Sequence, residues 1–230
     1  MRALILCSGT GSLDQAFRNL GWEVDNLDID PKCNCTWTAD VCAWEPPDRH
    51  YDCIWASPPC IEFSVALTTR HCRLEEGLRI ANRCLDIIER YLQGNPRMAW
   101  FMENPGTGLL PKQERFKDLP CKYVTYCRYN SPEVPTHPYR KLTWIATNVD
   151  VWRPARVCTR KNPCAFMVDG RHPACAQRGP MRSRGELHGP ACSLKQLYSV
   201  PPWLCAEVVK AATEHVWEQE AALELTSEAS

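Results

Sequence analysis

Two places in this chain put a group that could make or break covalent bonds just beyond an apolar run. In Trp55-Ala56-Ser57-Pro58-Pro59-Cys60-Ile61-Glu62-Phe63-Ser64, a thiol follows two prolines. The prolines restrict the loop and lower the entropy lost in holding Cys60 in one place. A nucleophilic cysteine works as its thiolate, which calls for a lowered pKa and a partner acid. The competing reading is a buried structural cysteine, the default for most of the 15 cysteines present. In Phe101-Met102-Glu103-Asn104-Pro105, a carboxyl group stands at the tip of a second apolar run. Glu103 could donate a proton or a hydrogen bond to a ring nitrogen. It could equally cap the turn that Asn-Pro begins.

Two further run ends suggest a bound nucleoside. Cys7-Ser8-Gly9-Thr10-Gly11 is a G-x-G turn between a strand and a helix, and Ser12 and Leu13 follow where a dinucleotide fingerprint would carry its third glycine. Glycines let backbone approach a ligand closely, and a helix N-terminus favours a negative group; two glycines also serve plain turns. Asp28, with Ile29 after it, ends the next strand and could bind ribose hydroxyls. Taken with the glycines, nucleoside binding is the better reading of Asp28. Asp40, followed by Val41, could meet an adenine amino group or be an ordinary loop acid.

These groups need a scaffold, and periodicity supplies one. Apolar runs at residues 3–7, 23–29, 51–56, 98–102, 124–127 and 142–146 read as strands. Helical spacing appears at Leu13, Ala16, Phe17 and Leu20, and again from Leu74 to Leu92. Strands alternating with helices indicate an open α/β sheet, in which ligands bind beyond the carboxyl ends of the strands. A last helix opens at Val200-Pro201-Pro202, and the acidic residues from Glu214 onward are expected to fray.

Composition narrows the class. The chain has 230 residues, 44% of them hydrophobic, with 27 basic and 27 acidic side chains and zero net charge. A uniformly basic nucleic-acid binder is excluded, but a local basic patch is not. No run approaches the length of a membrane span. The run in Met1-Arg2-Ala3-Leu4-Ile5-Leu6-Cys7 meets Ser8-Gly9 with no cleavage site, so it reads as a strand and not as a secretion signal. Scattered cysteines without such a signal point to reduced thiols, a metal site or a catalytic thiol in an intracellular protein. The oligomeric state is not legible.

Taken in order, these segments resemble the DNA cytosine-5 methyltransferases, in a compact phage- or virus-like form. Cys7-Ser8-Gly9-Thr10-Gly11 is similar to the family's S-adenosylmethionine (AdoMet) turn, Asp28 to its ribose-binding acid and Asp40 to its adenine-contacting Asp. Pro59-Cys60 with Phe63-Ser64 is similar to the nucleophile loop, Glu103-Asn104 to the Glu-Asn pair, and Tyr198-Ser199-Val200-Pro201-Pro202 to the segment that completes the AdoMet pocket. The pattern departs from the family at Ile61, Pro105, Lys141 and Tyr198. The resemblance spans residues 4 to about 212. It implies a Rossmann-like class I methyltransferase sheet with helices on both faces and a small irregular Cys-rich insertion. It also implies AdoMet held by Cys7, Ser8, Gly9, Thr10, Gly11, Ser12, Leu13, Asp28, Ile29, Asp40, Val41, Pro58, Ser199 and Val200. Catalysis would fall to Cys60, Glu103 and Lys141, acting on a cytosine flipped out of DNA. RNA, such as tRNA, is the alternative substrate, and a catalytically inactive zinc-stapled nucleic-acid-binding protein is the rival of a different class.

The stretch after residue 150 changes character. From Arg153 to His188 it is basic, with many Pro, Gly and Cys and almost no periodicity. Cys158, Cys164, His172 and Cys175 fall within eighteen residues and could hold zinc tetrahedrally, with Cys192 further on. The spacing is not the usual C-x2-C, and free thiols are the alternative. Too few apolar residues are present for this segment to fold unaided, and a metal would supply the missing stability. The expected organisation is a catalytic domain over 1–150, a basic Cys-rich target-recognition segment over 151–195, a returning helix over 196–216 and an acidic tail over 217–230. Arg153, Arg156, Arg160, Lys161, Arg171, Arg178, Arg182 and Arg184 would meet phosphates.

Overall fold

In the computed structural model the described residues are 1–64, 72–131, 133, 136–172, 174–175, 179–183, 186–188 and 193–228, with backbone alone for 174–188, 194 and 223–228. Seven strands make the main sheet: β1 (Arg2–Leu6), β2 (Glu23–Asp28), β3 (Trp37–Thr38), β4 (Cys53–Ala56), β5 (Ala99–Pro105), β6 (Cys121–Thr125) and β7 (Leu142–Thr147). Their order is β3-β2-β1-β4-β5-β7-β6. All neighbours pair in parallel except β7, which runs antiparallel between β5 and β6.

The central strands are apolar along their length because helices cover both faces. Alternate residues of β1 feed the two sides. Ala3 and Ile5 pack with Phe17 of α1 (Ser12–Asn19), whereas Leu4 and Leu6 pack with Ala81, Leu85 and Ile88 of α2 (Leu74–Gly94). After the five-residue α3 (Leu194–Tyr198), α4 (Pro202–Glu228) returns to the α1 face and buries Leu204, Val208, Val209 and Ala212 there. Pro202 opens α4 at a position where its missing N–H costs nothing. The helix does not stop near Glu214, where fraying was expected, but continues to Glu228. Residues 214–225 contain neither Gly nor Pro and are rich in Glu, Ala and Leu, all strong helix formers.

The Cys-rich insertion is less irregular than its sequence suggests. It holds three short antiparallel strands, β8 (Ala174–Cys175), β9 (Gly179–Ser183) and β10 (Glu186–His188), in the order β10-β9-β8.

Candidate active site

One cleft of about 1340 Å³ opens beyond the carboxyl ends of β1, β2, β4 and β5. The chain enters it first through the turn after β1. Cys7, Gly9 and Gly11 all have positive φ, at 55°, 55° and 72°. Gly9 and Gly11 adopt that region without strain, whereas Cys7 does so at a cost of about 1–2 kcal/mol, and Gly11 leads directly into α1. A Cβ on Gly9 would meet nothing nearer than a backbone oxygen at 3.9 Å, so a side chain there would project into open space at the cleft wall. Asp28, at the end of β2, accepts from the Gly9 and Asp30 backbone N–H groups at 2.8 and 2.9 Å. A small open backbone turn beside an anchored carboxylate suits the amino acid and ribose parts of a nucleoside cofactor.

Of the predicted cofactor residues, Cys7, Ser8, Gly9, Thr10, Ser12, Leu13, Asp28, Pro58 and Val200 line this cleft. Val200 reaches it because α4 returns to α1, its N–H donating to Ser12 Oγ at 3.3 Å. Gly11, Ile29, Asp40, Val41 and Ser199 do not line it. The Asp40 carboxylate accepts from Cys42 N (2.9 Å) and pairs with Arg79 (3.4 Å), and the Cys42 bond foremost holds its pKa below the usual carboxylate range. Ile29 is 68% exposed, and Ser199 bonds through Oγ to the His137 ring at 2.8 Å. Burial pushes His137 down to about 4, so near neutrality it is an uncharged strut to this returning segment.

Cys60 and Glu103 stand on the same cleft. The loop carrying Cys60 is fixed at both ends. Asn104 Nδ2 donates to the Pro58 carbonyl at 2.9 Å, and Leu109 N donates to the Phe63 carbonyl at 2.9 Å. Beneath the loop, Phe63 and Glu62 are buried against α2. Glu62 also accepts from Arg73 N at 2.7 Å at the start of that helix.

Glu103 is held from the side by the residues that follow β6 and precede β7. Tyr126 donates its hydroxyl to Glu103 Oε1 at 3.3 Å, and Lys141 Nζ lies 3.5 Å from the same oxygen. The Lys141 ammonium also sits 4.6 Å from the centre of the Tyr126 ring, a cation–π contact. Neither Tyr126 nor this arrangement was legible in the sequence, because the antiparallel β7 register creates it. Burial raises the Cys60 thiol above its ordinary pKa, the Glu103 charge adds to the rise, and Lys141 opposes it. The lowered pKa expected of a nucleophile is therefore not a property of the free protein; near neutrality Cys60 rests as the thiol.

The far wall of the cleft belongs to the insertion, with Thr159, Arg160, Met167, Gly170, Arg171 and His172 on it. With Arg140 and Lys141 they give this wall a basic character. Arg178 and Arg184 lie outside the described residues, as does Cys192, and nothing is described of the side chains of Arg182 and Cys175. Cys158, Cys164 and His172 come together, and Cys127 joins them from the end of β6. Cys127 stands far upstream of the Cys-rich stretch, and no spacing pattern links it to the others.

A parallel sheet with one antiparallel strand inserted at its far side, and its cleft at the strand ends beside a glycine turn, is a Rossmann-like class I methyltransferase fold. No protein-family model matches the chain. A curated relative from Frog virus 3 (isolate Goorha), "Probable DNA (cytosine-5)-methyltransferase", is 29% identical over 228 residues, covering 91% of this chain and 99% of the relative. Two solved structures are also similar. One, titled as a DNA modification methyltransferase encoded within an E. coli prophage, covers 74% of this chain and 56% of its own, at 15% identity and a TM-score of 0.47. The S. pombe Dnmt2 methyltransferase covers 64% and 48%, at 14% identity and a TM-score of 0.41. The chain spans about half the length of these two structures, and at such scores they add nothing to the strand order. The chain is thus similar to the viral relative over nearly its whole length, and the order of its motifs and strands agrees with that likeness. Among the described residues no helix is long and apolar enough to cross a membrane.

Proposed function

We propose that this protein methylates carbon-5 of cytosine in DNA inside the cell, through a covalent adduct between Cys60 and a flipped base. The observation that carries the reading is the convergence of Cys60, from the loop after β4, and Glu103, from β5, on a cleft that also contains the β1 turn. Carbon-5 of cytosine is a poor nucleophile. Cys60 loses its thiol proton to solvent as its sulfur attacks carbon-6, which forms a C–S bond and pushes electron density toward N3 and carbon-5. Glu103 holds N3 and the exocyclic amine and offsets the charge that develops there. The β1 turn, Asp28 and Val200 would hold AdoMet, which would supply a methyl group made electrophilic by its sulfonium. Loss of the carbon-5 proton then expels the Cys60 thiolate and restores aromaticity.

Lys141 keeps the Glu103 carboxylate oriented and places a positive charge at the cleft. Its location, with Arg140, also suits the ring carbonyl or a nearby phosphate. The insertion serves as the target-recognition segment, with Arg160 and Arg171 facing the backbone of the bound strand. A base inside a duplex cannot reach this depth, so the cytosine enters flipped.

Bisulfite sequencing of DNA from cells expressing the chain should show new 5-methylcytosine, and Cys60→Ala should abolish it. Equal methylation by wild type and Cys60→Ala would sink the mechanism. Methyl transfer to tRNA in preference to DNA would transfer the activity to the RNA substrate.

A further inference from the structure

We infer that Cys127, Cys158, Cys164 and His172 form a structural zinc site that fastens the insertion to the end of β6. All four residues are buried, and their ligand atoms lie within 4.8 Å of one another. Cys158 Sγ and Cys164 Sγ stand 3.7 and 3.1 Å from His172 Nε2. In a tetrahedron with ordinary Zn–S and Zn–N bonds, such edges are about 3.6 Å. One Cys comes from the helical turn just after β6, and the other three ligands flank two short turns of the insertion, closed by the Thr159–Asn162 and Val168–Arg171 bridges. Four protein ligands leave no open position, the pattern of a structural and not a catalytic zinc.

The surroundings fit a metal centre. Cys164 N donates to Cys158 Sγ at 3.3 Å, as backbone does to a metal-bound thiolate. Cys158 N donates to Thr125 Oγ1 at 2.9 Å, while Arg140 Nε donates to the Cys158 carbonyl at 3.2 Å. Arg128 Nη2 donates to the Asn162 carbonyl at 2.6 Å. Zinc with three thiolates and a neutral imidazole carries one net negative charge, and Arg128 and Arg140 lie beside it. Without a metal, the apolar content of this junction is three cysteine side chains with Phe166 and Met167 packed on them, too little to order it.

This set differs from the one that spacing alone suggested, with Cys127 in the place of Cys175. It also puts the metal one residue from Tyr126, the hydroxyl donor to Glu103. The inference stands independently of the methyl-transfer reading, because metal content is measured without substrate.

The test is elemental analysis of full-length protein purified without chelators, with zinc in the medium. Wild type and Cys175→Ser should each carry about one zinc per chain, and Cys127→Ser should bind zinc about 100-fold or more weakly in chelator competition. Because Cys127→Ser could unfold, cobalt is added to metal-free wild type and to Cys175→Ser. Both should show the intense visible bands of tetrahedral cobalt and a thiolate-to-metal charge-transfer band. Zinc-free wild type, an octahedral cobalt spectrum, or loss of metal from Cys175→Ser with retention in Cys127→Ser would each overturn the assignment.

Discussion

Asn104 donates its side-chain amide to the carbonyl of Pro58 at 2.9 Å, tying the strand that carries Glu103 to the loop that presents Cys60. The bond is buried, and Asn104 is the residue directly after Glu103. One amide thus sets the distance between the proposed nucleophile and its acid partner. In Asn104→Ala the Pro58 carbonyl loses this donor, at a cost of about 1–3 kcal/mol. Turnover should fall by at least about tenfold, since small misplacements of reacting groups are costly. AdoMet affinity should stay within about threefold of wild type, a window of under 1 kcal/mol. Steady-state kinetics with calorimetry checks both; equal losses in turnover and cofactor affinity would refute a positioning role.

The Cys60 thiol is raised by burial and by Glu103 and pulled down by Lys141. A raised pKa means less thiolate at neutral pH, so Cys60 in the free protein should alkylate more slowly than an ordinary exposed cysteine at pH 7.5. Its rate should keep climbing above the usual thiol range of about 8.5. Glu103→Gln should speed the reaction and Lys141→Met should slow it. Peptide mapping after timed iodoacetamide exposure separates Cys60 from the other cysteines. A plateau of the wild-type rate below pH 8 would contradict this.

Lys141 and Glu103 form an ion pair with side chains only 14% and 10% exposed. Removing one partner of a buried pair leaves the other charge without compensation, so Lys141→Met should destabilise the fold by about 3 kcal/mol. The Lys141→Met, Glu103→Gln double variant should lose less than the two single variants summed. Urea denaturation of the four proteins gives the coupling; strict additivity would show that the pair contributes nothing.

A Cβ on Gly77 would stand 2.9 Å from Glu62 Cβ and 3.1 Å from the Phe63 ring, both just past Cys60. Gly77→Ala should therefore displace the loop that carries Cys60, costing about 1–3 kcal/mol through overpacking and lowering turnover. Gly94→Ala, at the end of the same helix with nothing within 4 Å, should be neutral in both assays. Thermal unfolding and turnover of the two variants make the comparison.

Asp28 anchors the β1 turn through Gly9 N at 2.8 Å as well as facing the cleft. Asp28→Ala should weaken AdoMet by about tenfold or more, as expected from losing hydrogen bonds to a charged acceptor. Unchanged affinity in calorimetry would remove the ribose assignment.

What the amino-acid sequence determined by itself was everything carried by short-range pattern. Apolar runs ending in Cys7-Ser8-Gly9, Asp28, Pro59-Cys60 and Glu103-Asn104 announce strand ends, and an open α/β sheet must bring such ends to one side. The tertiary structure alone decided the contacts made by residues distant in the chain. β7 enters antiparallel between β5 and β6, and the segment leading into it sets Lys141 and Tyr126 against Glu103; no local periodicity encodes that pairing. The same β6 end carries Cys127 to Cys158, Cys164 and His172, whereas spacing could only propose ligands lying close together in sequence. Asp40 reads from the sequence as a cofactor contact or an ordinary loop acid, and only the packing of α2 brings Arg79 to its carboxylate. Side-chain chemistry and turn propensity act over a few residues and are readable from them. Ion pairing, burial and metal geometry act through space, and only folding sets those distances.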